Sequence, residues 1–194
     1  MREALAGFED QRNKVVLTFD DGYEDFYQHA FPVLRQEDCP ATVFVLPGLY
    51  GRTSEFENGA VPTRLLSREQ IVEMAGFPGL NIGSHSLRHR RLPTLSREEL
   101  VTDLETAHTL LAADLGATYV PVLAYPYGHV TPEVVATTRS SPYQNAFTLL
   151  RGNWGPSTDP YLVPRFAISR FDSYPLVFWL KCARNRLRAA HLPD

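Results

Sequence analysis

Apolar residues along this chain keep two rhythms. Short, nearly unbroken runs rich in β-branched side chains recur at 14–19 (KVVLTF), 41–46 (ATVFVL), 80–84 (LNIGS), 120–124 (VPVLA), 145–149 (NAFTL) and 163–168 (VPRFAI). Continuous runs of this length predict parallel strands covered on both faces, where no polar alternation is needed. Between the runs the spacing turns helical: Ile71, Val72 and Met74, then Leu100, Val101, Leu104, Ala107 and Leu111 on one face. The helix starts are marked. Ser67-Arg-Glu-Gln70 and Ser96-Arg-Glu-Glu99 are capping boxes, and Thr131 precedes a proline at the first helical position. Gly116 marks a stop, residues 24–36 read as a helix that Pro32 kinks or restarts, and residues 175–190 read as a terminal helix. Strand–helix alternation over the whole chain predicts an α/β sheet or barrel. In such folds function sits at the carboxyl ends of strands.

Composition narrows this picture. With 194 residues, 44% of them hydrophobic, the chain supports one sizeable core, so one domain over 1–194 is expected. A net charge of −3 and the absence of a basic stripe argue against a nucleic-acid partner. No run approaches the roughly 18 apolar residues that predict a membrane span. The first 14 residues lack the apolar run of a signal peptide. As written, the chain reads as cytoplasmic; a piece of a longer secreted or envelope-associated protein would read the same. Cys39 and Cys182 fit no metal-binding spacing and are expected to be free thiols.

Three strand ends carry chemistry. Asp20 and Asp21 close the first run, followed by Gly22. Asp-Gly is a common turn, and the alternative is a catalytic edge with one carboxylate on a metal and the other acting as a base. His85 and His89 follow the third run, four residues apart, a spacing that on a helical turn brings both imidazoles to one ion. Two surface histidines are the simpler alternative. One carboxylate with two histidines leaves coordination positions open for water and substrate, as a catalytic metal requires. Tyr125-Pro-Tyr-Gly128 follows the fourth run, either as an ordinary turn or as a rigid loop presenting a backbone N–H.

These stretches, in this order, resemble the polysaccharide deacetylases, the NodB homology domain of carbohydrate esterase family 4. Thr18-Phe-Asp-Asp-Gly22 matches the TFDDG motif, His85-Ser-Leu-Arg-His89 matches H-[ST]-x-x-H, and Tyr125-Pro-Tyr-Gly128 matches the end of R-x-P-Y. The likeness runs from about residue 14 to 180. It implies a distorted (β/α) barrel of about seven strands. It also implies Asp21, His85 and His89 as ligands of one divalent metal, Zn²⁺ being the expected ion, with Co²⁺, Ni²⁺ or Fe²⁺ as alternatives for this ligand set. Asp20 would be the general base, the Tyr127 N–H would help hold an oxyanion, and Ser86 would support the histidine loop. The implied activity is hydrolytic removal of N-acetyl groups from an N-acetylated sugar or glycan. Such a metal lowers the pKa of a bound water and polarises the carbonyl.

Two family features are missing. The usual arginine of the third motif falls at Ala124, so Asp20 needs another cation; Arg165 is the candidate, against a surface arginine at a strand. The late L-x-H motif, which supplies the general acid, is not visible. His191 lies three residues from the end, His29 and His108 read as helix histidines, and His129 beside Tyr-Pro-Tyr-Gly is the candidate acid, against a rim histidine. Tyr23, Pro126 and Trp154 are candidate substrate contacts, Trp154 being equally suited to a core. The alternatives are an O-deacetylase or non-sugar amide hydrolase of the same fold, and a metal-retaining glycan-binding pseudoenzyme favoured by the two missing features.

Overall fold

The computed structural model describes residues 15–56, 61–152 and 154–169. Five strands, β1 (Leu17–Phe19), β2 (Ala41–Val45), β3 (Leu80–Ser84), β4 (Tyr119–Ala124) and β5 (Asn145–Phe147), form one sheet in chain order. Every pairing is parallel. Winding each strand beside its predecessor is barrel topology, and the curled sheet forms a half-barrel, the distorted α/β barrel class expected. Five strands are described where about seven were expected.

The strand ends differ from the apolar runs for local reasons. β1 begins at Leu17, where its neighbour starts at Ala41; Val15 and Val16 have no partner and lie exposed. The sixth run contributes a single parallel bridge, Phe147 to Val163. The Val163 N–H donates to the Ala146 carbonyl (2.9 Å), the Thr148 N–H to the Val163 carbonyl (2.9 Å) and the Arg165 N–H to the Leu150 carbonyl (3.1 Å). A regular ladder would continue from the Arg165 N–H to the Thr148 carbonyl, but that carbonyl accepts from the Arg165 side chain instead, so the ladder stops at one bridge.

The helices form where their caps predict. In α2 (Arg68–Ala75) and α3 (Arg97–Leu115), after α1 (Phe31–Gln36), both reciprocal capping-box bonds are present. The Ser67 and Ser96 hydroxyls each accept from a backbone N–H at 3.2 Å. Such caps contribute about 1 kcal/mol apiece. Thr131 caps α4 (Pro132–Arg139). Before α1, Phe26–Ala30 form a π-helical turn closed by a bond from the Phe31 N–H to the Phe26 carbonyl. The disturbance expected at Pro32 takes this form, the wider turn placing the proline in the first turn of α1. The terminal helix expected at 175–190 lies outside the described residues, as do Cys182 and His191; Cys39 is a free thiol. Among the described residues no helix is long and apolar enough to cross a membrane.

Strand alternation sorts the two faces. Val43, Val45, Ile82, Leu17 and Phe19 pack outward with Phe31, Leu34, Ile71 and Met74 of the helices. Phe44, Val122, Ala124, Phe147 and Val163 form an inner cluster against which Trp154 rests. Thr18 on β1 and Asp20 just past its end contact an arginine that lies over that inner cluster. The site is built on this inner side.

Candidate active site

Two adjacent residues leave β1 in opposite directions. Asp20 continues the inward register of Thr18. Asp21 and Gly22 both take left-handed backbone, φ 70° and 68°, which ends the alternation and turns Asp21 toward β3. Gly22 is required twice, by that φ and because a Cβ would lie 3.1 Å from Val45 Cγ1.

Asp20 meets Arg165 in a two-pronged pair, Nη1 to Oδ1 at 2.7 Å and Nη2 to Oδ2 at 2.8 Å. Arg165 also donates to the Thr18 hydroxyl (3.1 Å) and the Thr148 carbonyl (3.2 Å), and its guanidinium lies over the rings of Phe44 and Phe147. Four donor contacts and two rings allow this cation essentially one pose. Burial pushes the Asp20 carboxyl upward, but the charge of His85 and that of Arg165 outweigh it and hold the group below its usual range. It is an anion at neutral pH.

The two histidines hang from a strained loop after β3. The His85 N–H donates to the Val45 carbonyl (2.8 Å), extending the ladder by one residue. Ser86 and His89 then adopt φ 70° and 58°, and the Ser86 hydroxyl accepts from the His89 N–H (3.1 Å). Non-glycine residues at positive φ cost about 1 kcal/mol or more each and persist where the surroundings enforce them. Both imidazoles are buried. His85 Nδ1 lies 2.7 Å from the Ala124 carbonyl, a pure acceptor, so this nitrogen carries hydrogen and Nε2 faces the site. The His89 ring sits between Phe56 (4.1 Å between centroids) and Tyr127 (4.5 Å).

Asp21 Oδ1 lies 3.3 Å from His85 Nε2 and 3.1 Å from His89 Nε2, and the three groups offer ligand atoms within 4.8 Å of one another. Yet this buried oxygen has no hydrogen bond of acceptable geometry. Burial raises the Asp21 carboxyl, but the contacts of His85 and His89 dominate and hold it far below the carboxylate range. Burial lowers His85, while the charges of Asp20 and Asp21 more than reverse this and raise it. Asp21 Oδ1 and the Nε2 atoms of His85 and His89 thus converge on one shared point. The donor set, one carboxylate oxygen and two imidazole nitrogens, fits Zn²⁺ and its first-row neighbours.

The third loop closes the mouth. Tyr127 has φ 59° inside the turn Pro126–Gly128, and its hydroxyl donates to the Phe56 carbonyl (2.9 Å). The Arg91 guanidinium lies 4.4 Å from the Tyr127 ring centroid, and its Nη1 is 3.1 Å from His129 Nδ1. The structure therefore brings Asp20, Asp21, His85, His89, Tyr127 and Arg165 together, and places His129 exposed on the rim, joined to Tyr127 through Arg91. Pro126 is buried beneath the turn. Tyr23 is half-buried in the turn after Asp21, in an antiparallel bridge with Leu65. Trp154 is half-buried against the inner cluster. His108 on α3 packs at a tilt against Tyr119 and edge-on against Tyr143, and is lowered by burial. Two participants have no counterpart among the sequence expectations. Arg91 carried no signal beyond its place in a basic run. Asp103 did carry one: an acid three residues after Leu100, inside the buried stripe of α3, and its Oδ1 accepts from the Leu87 N–H (2.9 Å).

Comparison with known proteins bears on the family and the fold. The polysaccharide deacetylase family model matches residues 9–146. A poly-β-1,6-N-acetyl-D-glucosamine N-deacetylase of Staphylococcus epidermidis is 29% identical over 168 residues, covering 81% of this chain and 55% of the relative. The chain thus spans about half the length of the curated relatives it matches. IcaB from Ammonifex degensii superposes with a TM-score of 0.70 at 26% identity, over 86% of this chain and 72% of that one. The Streptococcus pyogenes deacetylase PplD, solved in complex with acetate, superposes with a TM-score of 0.76 at 25% identity, over 92% and 75%.

Proposed function

The chain belongs to the polysaccharide deacetylase family, and from that premise we propose that it is a metal-dependent hydrolase removing N-acetyl groups from amino-sugar glycans. The observation that carries the reading is the convergence of Asp21, His85 and His89 beside an Asp20 carboxylate held ionised by Arg165. Poly-N-acetylglucosamine, the substrate in the Staphylococcus epidermidis relative's name, is the first glycan to test.

Asp21, His85 and His89 would hold a divalent ion, which supplies Lewis acidity for the acetamide carbonyl and for the attacking water. Asp20 takes a proton from that water as the water oxygen bonds to the carbonyl carbon. Held as an anion by its neighbours, Asp20 is free to accept that proton. Arg165 keeps Asp20 charged and aims both its oxygens, in the role the family gives to the arginine missing at position 124. As the carbonyl oxygen gains charge, the Tyr127 N–H donates to it. The C–N bond then breaks as the departing amine takes a proton, for which His129 on the rim, in its imidazolium form, is the candidate donor; acetate and a free amino sugar are the products. Arg91 Nη1, 3.1 Å from His129 Nδ1, can donate only to the neutral ring, so this contact has to open for His129 to act as the acid. Tyr23, Pro126 and Trp154 are assigned to the walls that receive the sugar.

The test is acetate release from β-1,6-linked N-acetylglucosamine oligomers, chitooligosaccharides and acetylated xylan, by protein stripped with chelator and by protein refilled with Zn²⁺ or Co²⁺. N-deacetylation predicts metal-restored release from an amino-sugar oligomer. Release from xylan alone would reassign the chain to O-deacetylation, and metal binding without release from any substrate would make it a glycan-binding protein.

A further inference from the structure

We propose that Asp103, a buried acid outside the catalytic constellation, is a positioning residue that sets the geometry of the two metal-ligating histidines through the backbone of Leu87. The inference rests on the Asp21–His85–His89 reading.

Leu87 is the midpoint of the His85–His89 loop, and both of its backbone polar groups are gripped from outside the loop. Its N–H donates to Asp103 Oδ1 on α3 at 2.9 Å. Its carbonyl accepts from the Gly48 N–H, in the short turn after β2, at 3.0 Å. A Cβ on residue 48 would sit 2.6 Å from the Leu87 oxygen and 2.9 Å from Arg88 Cγ, so the turn approaches this closely because residue 48 is glycine. The Ser86–His89 bond is internal and can travel with the loop. The grips on Leu87 tie the loop to a helix on one side and a sheet turn on the other.

The cost of Asp103 shows that its acceptor matters. It occupies the apolar stripe of Leu100, Leu104, Ala107 and Leu111, and it is 5% exposed. Among the described residues it makes no ion pair, the nearby Arg90 pairing with Glu99 instead. Burying a carboxylate for one backbone bond destabilises a helix face relative to leucine. The return is geometric. Ser86 and His89 both hold positive φ, and a loop under that strain relaxes unless it is pinned. A relaxed loop would move the two Nε2 atoms out of common reach of Asp21.

The test measures zinc affinity of the apo protein by chelator competition, together with Tm. Asp103→Leu restores the apolar stripe and removes the acceptor. We expect its apo Tm to equal or exceed wild type while the zinc Kd rises roughly 10- to 100-fold, the range for supports of metal ligands. Asp103→Asn, which keeps an acceptor oxygen, should fall between the two. A purely structural role would lower Tm and leave the Kd of the folded protein alone. Wild-type Kd in Asp103→Leu overturns the proposal. If that variant fails to fold, Gly48→Ala, which presses on Leu87 from the other side, decides in its place, and wild-type Kd there overturns it equally. Wild-type protein that binds no zinc would sink the metal reading and this inference together, whereas tight wild-type binding with tight Asp103→Leu binding sinks the inference alone.

Discussion

Asp20 and Asp21 are neighbours in sequence and opposites in surroundings. Both oxygens of Asp20 are met by Arg165, at 2.7 and 2.8 Å. Asp21 Oδ1 is buried with two imidazole nitrogens 3.1 and 3.3 Å away, neither in well-aligned hydrogen-bond geometry. One charge is satisfied by a two-pronged guanidinium, and the other is met only by two imidazole nitrogens that converge on the same oxygen. The difference separates a residue held for proton transfer from a residue held for a ligand, and it arises from the left-handed backbone that Asp21 itself adopts.

The strongest way to break this contrast is to remove the unsatisfied member. Asp21→Ala should abolish detectable zinc binding and acetate release together; retained tight binding would mean the three groups do not form the site. The second test removes the satisfied member. Asp20→Asn should lower kcat about 10²- to 10⁴-fold, the contribution of a positioned general base, while the zinc Kd stays near wild type. Loss of both properties would erase the distinction.

Arg165→Gln sharpens the comparison through pH. In the wild type the charges of His85 and Arg165 overcome burial and hold Asp20 below the ordinary carboxylate range. Without the guanidinium, burial pushes the carboxyl back up. The acid limb of kcat/KM, where Asp20 must be ionised, should therefore move to higher pH in the variant. The sign for stability follows: a depressed carboxyl pKa stabilises the fold above its unfolded value, about 3.9, and that stabilisation is lost as pH falls through the folded value. The wild type should accordingly lose more stability than the variant on acidification through this window. At pH 7 the variant should be less stable by about 1.5–3 kcal/mol, as for a charged hydrogen-bond partner removed from a mostly buried pair, measured by urea unfolding. An unmoved acid limb would show that Arg165 does not control the base.

The smallest effect serves as the control. Ser96→Ala, at the cap of α3 and away from the site, should cost about 1 kcal/mol of stability and leave kcat unchanged. A fall in kcat would mean that activity tracks global stability, and the larger effects would lose their site-specific meaning.

Much of this was legible in the chain because its signals are local. Apolar runs ending in Asp20-Asp21 and in His85, and two capping boxes, need only a few neighbouring residues to be read. The π turn before Pro32 and the single bridge at Val163 were not legible as such, because each depends on which backbone partner lies opposite. Asp103 was visible as an acid in an apolar stripe, but its purpose depends on a loop 16 residues earlier.

By itself the sequence determined the strand–helix alternation of an α/β sheet or barrel and the residue types waiting at three strand ends, since strand runs, caps and Asp-Gly or Pro-Tyr-Gly turns act over a few residues; the barrel itself was implied by the motif resemblance. Only the tertiary structure decided which charges meet. Arg165 reaches Asp20 across 145 positions because the chain winds parallel strands side by side until residues 163–165 run beside β5. Electrostatic partnership depends on distance in space, and a linear pattern records that distance only where the backbone bond is local.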